Sequence, residues 1–355
     1  MSTLFPRKPL RFIACLASCL LLPCHTTAWA QDNGARSKTL VVASFGGGLD
    51  QVYKKVFEPF EKEYGVTIRW TPSSAAENLA KLKATKAKPE YDIALVENFI
   101  LYAGAVQGLF EPVDESIVTN YRDLYPQVRP LNNLGVPFGL FYQGIFYRQD
   151  EFAKKGWAAP EHWSDLFEPR YCDQIGMLTP SVSDGLRFLL ILAEGQTKRM
   201  PEAIARLATL KKCIPVLEPS APKLEEKVQL GEYTMGVMGS IRAIPLMQRG
   251  YPIKFVLPSE GTVAGYSAAA AVKGAPNPKM AQEFLNWFLR PESQQQLMKE
   301  LFYTPTNRLV TVPENMKKLG ILDSEGIKGL VPVDEEAIYK NRAAWIRQTE
   351  RAMAQ

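Results

Sequence analysis

Two α/β lobes, each a mainly parallel sheet flanked by helices and joined by two crossing strands, are predicted for this chain by three observations. Residues 38–70 read as strand, glycine turn, helix and strand, the opening of a βαβ unit. The stretch VPFGLFYQGIFYR over 136–148 is extended, aromatic and broken by glycine, as a crossing between lobes should be. A second glycine-rich return, over 258–265, brings the chain back. About 325 residues follow an N-terminal leader, enough for two such lobes.

The leader has a basic start at Arg7, Lys8 and Arg11, then an apolar run over 12–22 that is too short to span a bilayer. Ala28-Trp29-Ala30 before Gln31 predicts a signal peptide over 1–30, cleaved to release a periplasmic chain. Leu16-Ala17-Ser18 ahead of Cys19 is an alternative, a lipoprotein box that would anchor the chain at Cys19. Cleavage after Ala30 removes Cys15, Cys19 and Cys24, so Cys172 and Cys213 remain, an even pair in an oxidising compartment, and a disulfide is expected. It also removes three basic residues and no acid, lowering the formal charge of +5 by three. The nearly balanced remainder, without a basic run or a long apolar helix, gives no support to a nucleic-acid or membrane-embedded role.

Along the first lobe, 40–44 is an apolar strand, and 49–64 carries Val52, Val56, Phe57 and Phe60 at helical spacing before Gly65 stops it. A strand over 66–70, a helix over 77–85 and a strand over 91–96 continue the alternation. After the crossing, the second lobe is expected to hold strands over 175–179, 214–218 and 235–238 and helices over 185–194 and 201–211. Segments 253–257 and 267–272 flank the return. Helices over 279–289 and 293–299 rejoin the first lobe, and a terminal helix covers 335–352. The expected boundaries are 31–140 for the first lobe, 141–257 for the second and 258–355 for the return. Ligands of open α/β folds bind at the carboxyl ends of strands, which directs attention to the loops after Ser44 and Val96.

Several stretches, in order, resemble the periplasmic solute-binding proteins of ABC importers, in the branch of the spermidine/putrescine-binding proteins. They are FEPFEKEYGVTI, YDIALVEN with GLFEPVD, VPFG, WSDLFEPRYCDQIGML, GEYTMGVMGS, VLPSEG, and NPKMAQEFLNWFLRPESQQQ followed by YTPTN. The resemblance spans nearly the whole mature chain. It implies a type II periplasmic binding fold, a small solute enclosed between lobes, an inner-membrane permease with its ATPase as partners, a monomer, and no cofactor.

In the polyamine binders aromatic rings stack on the alkyl chain and carboxylates hold the ammonium ends. On that pattern the first-turn aromatic matches Phe45, but the acid two positions on becomes Gly47. The opposite aromatics become Gly239 and Gly265, a following aspartate becomes Ser267, and one acidic position survives as Asp184. Glu97, with Asn98 after it, and Arg242, beyond the Gly239-Ser240 turn, are charged where those proteins are neutral. An arginine at a helix start can hold a carboxylate or phosphate bidentately, aided by free N–H groups. The expected solute therefore has an anionic end, and is zwitterionic if Asp184 or Glu97 holds an amine. Gly46 and Gly47 would let backbone N–H groups approach an oxyanion. Tyr142, Gln143, Ser240, Ser267 and Tyr303 complete the expected cleft.

Structural alternatives stand beside these roles. Arg242 could pair with a surface carboxylate, Asp184 could cap the following helix, Glu97 could be a solvated turn residue, Phe45 could be core, and Gly46 to Gly48 could be a tight turn. Catalysis finds little support: His162 is the lone histidine after the leader, there is no GxSxG elbow, and the glycine turn continues as neither GxGxxG nor a P-loop. Polyamine specificity is the alternative reading. A ferric-ion site is a further one, although the adjacent tyrosine pair common in ferric-binding relatives is missing. A chemosensory role would use the same fold.

Overall fold

The computed structural model describes residues 38–46, 48–214 and 216–354. The expected leader, its three cysteines and Gly47 lie outside them. Strand β1 (Thr39–Phe45) leads into helix α1 (Leu49–Tyr64) and strand β2 (Thr67–Ser73). Gly48 (φ 87°) starts α1 and Gly65 (φ 61°) ends it, both left-handed positions that suit a residue without Cβ. The predicted stripe is inward: Val56, Phe57 and Phe60 are buried with Tyr53. Helix α2 (Ala75–Ala84) begins two residues earlier than expected because Ser74 and Glu77 form a capping box. Strand β3 (Ile93–Glu97) runs directly into helix α3 (Asn98–Val106).

Strand β4 (Val136–Arg148) is the expected crossing, followed by α4 (Gln149–Lys155), β5 (Ile175–Gly176), α5 (Ser183–Leu192), α6 (Met200–Thr209) and α7 (Ala221–Leu230). Then come β6 (Met235–Gly239), α8 (Ser240–Gln248), β7 (Ile253–Val256) and β8 (Ala264–Ala271). Helices α9 (Pro278–Leu289), α10 (Pro291–Leu301), α11 (Glu314–Lys318), α12 (Ser324–Lys328) and α13 (Glu335–Ala354) complete the described chain.

The strands follow the order β2-β1-β3-β8-β4-β6-β5, with β7 also on β4. β1 is parallel to β2 and β3, and β5 is parallel to β6, as the alternation of strands and helices requires. The crossing strands add antiparallel pairs. β4 lies against β8 from Val136 to Tyr142, then changes partner and lies against β6 from Gln143 to Tyr147 and β7 from Ile145 to Arg148. One long strand therefore serves two sheets, and its change of partner falls at Tyr142/Gln143.

Two large cores flank that junction. In one, Phe57 stacks on Phe284 and Phe138 on Phe288, each at 4.1 Å between centroids. In the other, Phe152, Trp163, Tyr171, Leu189 and Ile204 are closed over by Trp345 of α13. Truncating such a buried ring to Ala costs about 3–5 kcal/mol.

Among the described residues the strand expected over 214–218 is reduced to one parallel bridge, Glu218 to Leu178, and the strand expected over 175–179 pairs with β6 only at Ile175 and Gly176. Proline at 215 and 219 removes N–H donors a ladder needs. The two segments nonetheless run side by side: Asp173 N–H donates to Cys213 O (2.8 Å) and Thr179 N–H to Glu218 O (3.0 Å). Cys172 and Cys213 form the expected disulfide at one end of this pair.

Candidate functional site

The site forms where β3, β4, β8 and the starts of α3, α5 and α8 converge at the partner change of β4. Its centre is a residue that sequence reasoning missed. Arg187, on α5, is completely buried. Its Nη1 donates to Asp184 Oδ1 (2.8 Å), and its Nη2 donates to Asn98 Oδ1 (3.1 Å) and Glu97 Oε2 (3.3 Å). The guanidinium carbon lies 4.6 Å from the Phe141 ring centre and 5.1 Å from that of Phe99, favourable cation–π distances. The sequence did carry a signal: Arg187 is the lone basic residue in the apolar helix SDGLRFLLIL, and a buried cation requires partners.

Asp184 sits in the first turn of α5, while Val182 holds the cap position, so the capping alternative does not apply. Its Oδ1 also accepts from Gln143 Nε2 (2.9 Å). Glu97 occupies the N-cap position of α3 without bonding a helix N–H, and its carboxylate is turned to Arg187. The structure thus brings Glu97, Asn98, Gln143 and Asp184 together around one guanidinium. Glu97 and Asp184 keep 31% and 18% of their side-chain surface exposed, so carboxylate remains available to a solute.

Ser267 lies opposite Glu97 in the β3/β8 register, and its hydroxyl meets that of Tyr303 at 2.9 Å. Burial raises the Tyr303 phenol above its ordinary pKa; the Glu97 charge adds to the rise and the Arg242 charge opposes it, which places both charges within electrostatic reach of this hydroxyl. Arg242 itself is part exposed and its Nη1 stands 3.5 Å from Glu225, which Arg249 also engages at 2.6 Å. The surface-pair alternative therefore accounts for the ion pair Arg242 makes in this structure. Ser240 opens α8, with its hydroxyl accepting from Tyr142 N–H (3.3 Å).

Other expected residues stand apart. Tyr142 points away from the cluster, because neighbours along a strand face opposite sides: its hydroxyl donates to Gly320 O and its ring lies by Phe255. It belongs to the core, with Phe141 and Gln143 presented to the site instead. Phe45 is buried in the first core. Gly46 N–H donates to Ser73 O (3.1 Å), so this donor is spent on β2.

Two buried polar atoms of the cluster have no protein partner: Arg187 Nε and Gln143 Oε1. The C-terminal helix completes the surroundings. Glu335 accepts from Asn98 Nδ2 (3.2 Å) and Tyr266 OH (3.3 Å), and burial, the largest influence, lifts its carboxyl above the usual range. Among the described residues no group of three His, Cys, Asp or Glu is placed to hold a metal ion, and no helix is long and apolar enough to cross a membrane.

Residues 55–322 match the model of a family described as bacterial extracellular solute-binding protein. A spermidine/putrescine-binding periplasmic protein of Salmonella typhimurium is 25% identical over 71% of this chain and 74% of its own. A gamma-aminobutyric acid-binding protein of Pseudomonas aeruginosa is 24% identical over 87% of this chain and 89% of its own. Among solved structures, an ABC transporter protein from Clostridium perfringens superposes with a TM-score of 0.76 at 23% identity, over 88% of this chain and 99% of its own.

Proposed function

From the premise that this chain belongs to the family of bacterial extracellular solute-binding proteins, we propose that it delivers a small zwitterionic solute to an inner-membrane ABC permease and its ATPase. The single observation that carries the solute class is the charge balance of the cleft. Glu97 and Asp184 face Arg187, and the charges of Glu97 and Arg242 both act on Tyr303, so the site offers both signs. One carboxylate is offset by Arg187, leaving one negative charge for an amine. Arg242, the hydroxyls of Ser267 and Tyr303 and the N-terminal N–H groups of α8 are suited to a carboxylate or phosphonate. A short ω-amino acid or aminophosphonate fits this pattern, and the gamma-aminobutyric acid-binding relative supports the class.

Residues 31–140 with 258–355 would form one lobe and residues 141–257 the other, except that α13 lends Ile338 and Trp345 to the core of the second, the two closing about β4 and β8 as a monomer in the periplasm. Closure matters because a permease can tell loaded from empty protein only if the solute favours the closed state.

A polyamine is the second reading, favoured by the exposed parts of Glu97 and Asp184 and by the spermidine/putrescine-binding relative. Thermal-shift titration of the mature protein decides between them. Gamma-aminobutyrate, 2-aminoethylphosphonate, succinate, putrescine, spermidine and ferric ion serve as probes, since a ligand of the folded state raises Tm. The zwitterions should shift Tm and the polyamines should not. A shift confined to putrescine or spermidine would replace the first reading by the second.

A further inference from the structure

We propose that Arg187 is a resident cation, filling an aromatic and carboxylate cage that would otherwise hold a second ammonium group of the solute. The inference rests on the reading of this cluster as the solute site and names its specificity-determining residue.

The surroundings of the guanidinium are those a solute cation would need. Phe99 and Phe141 offer their ring faces, Glu97 and Asp184 offer carboxylates from separate elements, and Asn98 offers an amide oxygen. Room for the guanidinium comes from Gly265 on β8, where an added Cβ would overlap Nη2, Cζ and Nε of Arg187. The cage is imperfectly satisfied by its occupant. Arg187 Nε is buried without a partner, as is Gln143 Oε1, although Gln143 Nε2 bonds the same Asp184. Unpaired buried polar atoms are uncommon in native interiors, and the two at this cluster fit a site whose last partners come from a solute.

The consequence is a change of valence. Two carboxylates without Arg187 would suit a dication; with Arg187 in place they suit one cationic end, and the other end of the solute must find different chemistry. Arg187 acts as a built-in competitor against diamines, an example of specificity obtained by repelling the wrong ligand.

The test compares residues 31–355 as wild type, Arg187→Met and Arg187→Lys by calorimetric titration with putrescine. Arg187→Met should bind putrescine at least tenfold more tightly than wild type, and Arg187→Lys, which keeps a cation in the cage, should not. A folded Arg187→Met protein with unchanged putrescine affinity overturns the proposal, as does tight putrescine binding by the wild type. In addition, methylguanidinium at millimolar concentration should raise the Tm of Arg187→Ala by several degrees and leave the wild type unmoved. Should Arg187→Ala be unfolded by itself, methylguanidinium must restore its folding; no response overturns the proposal. Titration of the wild type with gamma-aminobutyrate separates the two readings. Loss of that binding removes the zwitterion assignment, while a putrescine gain in Arg187→Met would still support the cage.

Discussion

The guanidinium of Arg187 occupies the space into which any side chain at Gly265 would project. These residues, one on α5 and one on β8, are complementary in volume: the position stripped to hydrogen on the strand is filled by the largest fully buried side chain. The guanidinium is held by three carboxylate or amide partners and cannot retreat without breaking them.

Gly265→Ala should therefore be strongly destabilising, in the range of about 1–3 kcal/mol typical of overpacked cores or above it. The diagnostic result is non-additivity. Arg187→Met/Gly265→Ala should cost less than the sum of the single variants in urea unfolding, because a flexible thioether can yield where a bonded guanidinium cannot. Additive losses would show that the two positions do not compete for space.

Arg242→Ala should weaken solute affinity at least tenfold and leave the Tm of the empty protein nearly unchanged. Its ion pair with Glu225 is partly exposed and shared with Arg249, so little stability is lost with it. Calorimetric titration with the solute found by thermal shift is the measurement; unchanged affinity would return Arg242 to a surface role.

The Cys172 to Cys213 bridge closes a loop with a sequence separation of 41 residues. Chain-entropy arguments assign such a bridge about 4 kcal/mol. Peptide mapping without reductant should recover the cross-linked pair, and Cys172→Ser/Cys213→Ser should lower the urea midpoint markedly. Two alkylatable thiols in the purified protein would contradict this.

Glu335 should impose a pH dependence. Burial lifts its carboxyl above the ordinary value of 4.5, so the folded chain holds this proton to higher pH than the unfolded chain. Its contribution is fully favourable below the unfolded value and declines as pH rises through the folded value. Gln at 335 can still accept from Asn98 and Tyr266 without a charge to desolvate. The Tm of Glu335→Gln relative to wild type should become more positive between pH 4 and pH 7, and a difference independent of pH would reject the assignment.

Legibility differed between backbone and site. The opening βαβ unit, the crossing at Val136–Arg148 and the helices α9 and α10 were readable because apolar spacing and glycine stops are local properties. The segment 214–218 was misread because its apolar run outweighed two prolines, which deny a ladder its donors. At the site, Asp184 and Ser267 are reached through the resemblance to the polyamine binders, and Glu97 through its charge at the end of β3. Tyr142 could not be told from Phe141, since their orientation depends on register across β4.

By itself the sequence determined an α/β chain with alternating elements, the Cys172 and Cys213 pair, and the charged positions from which a cleft could be built. Tertiary structure alone decided which of those charges meet. Arg187 reaches Asn98 and Glu97 across 89 and 90 residues of sequence, and no local pattern encodes such a partner. A buried charge must be compensated, yet the compensating group is set by how separate elements pack at the β4 junction, and that packing is a property of the whole fold.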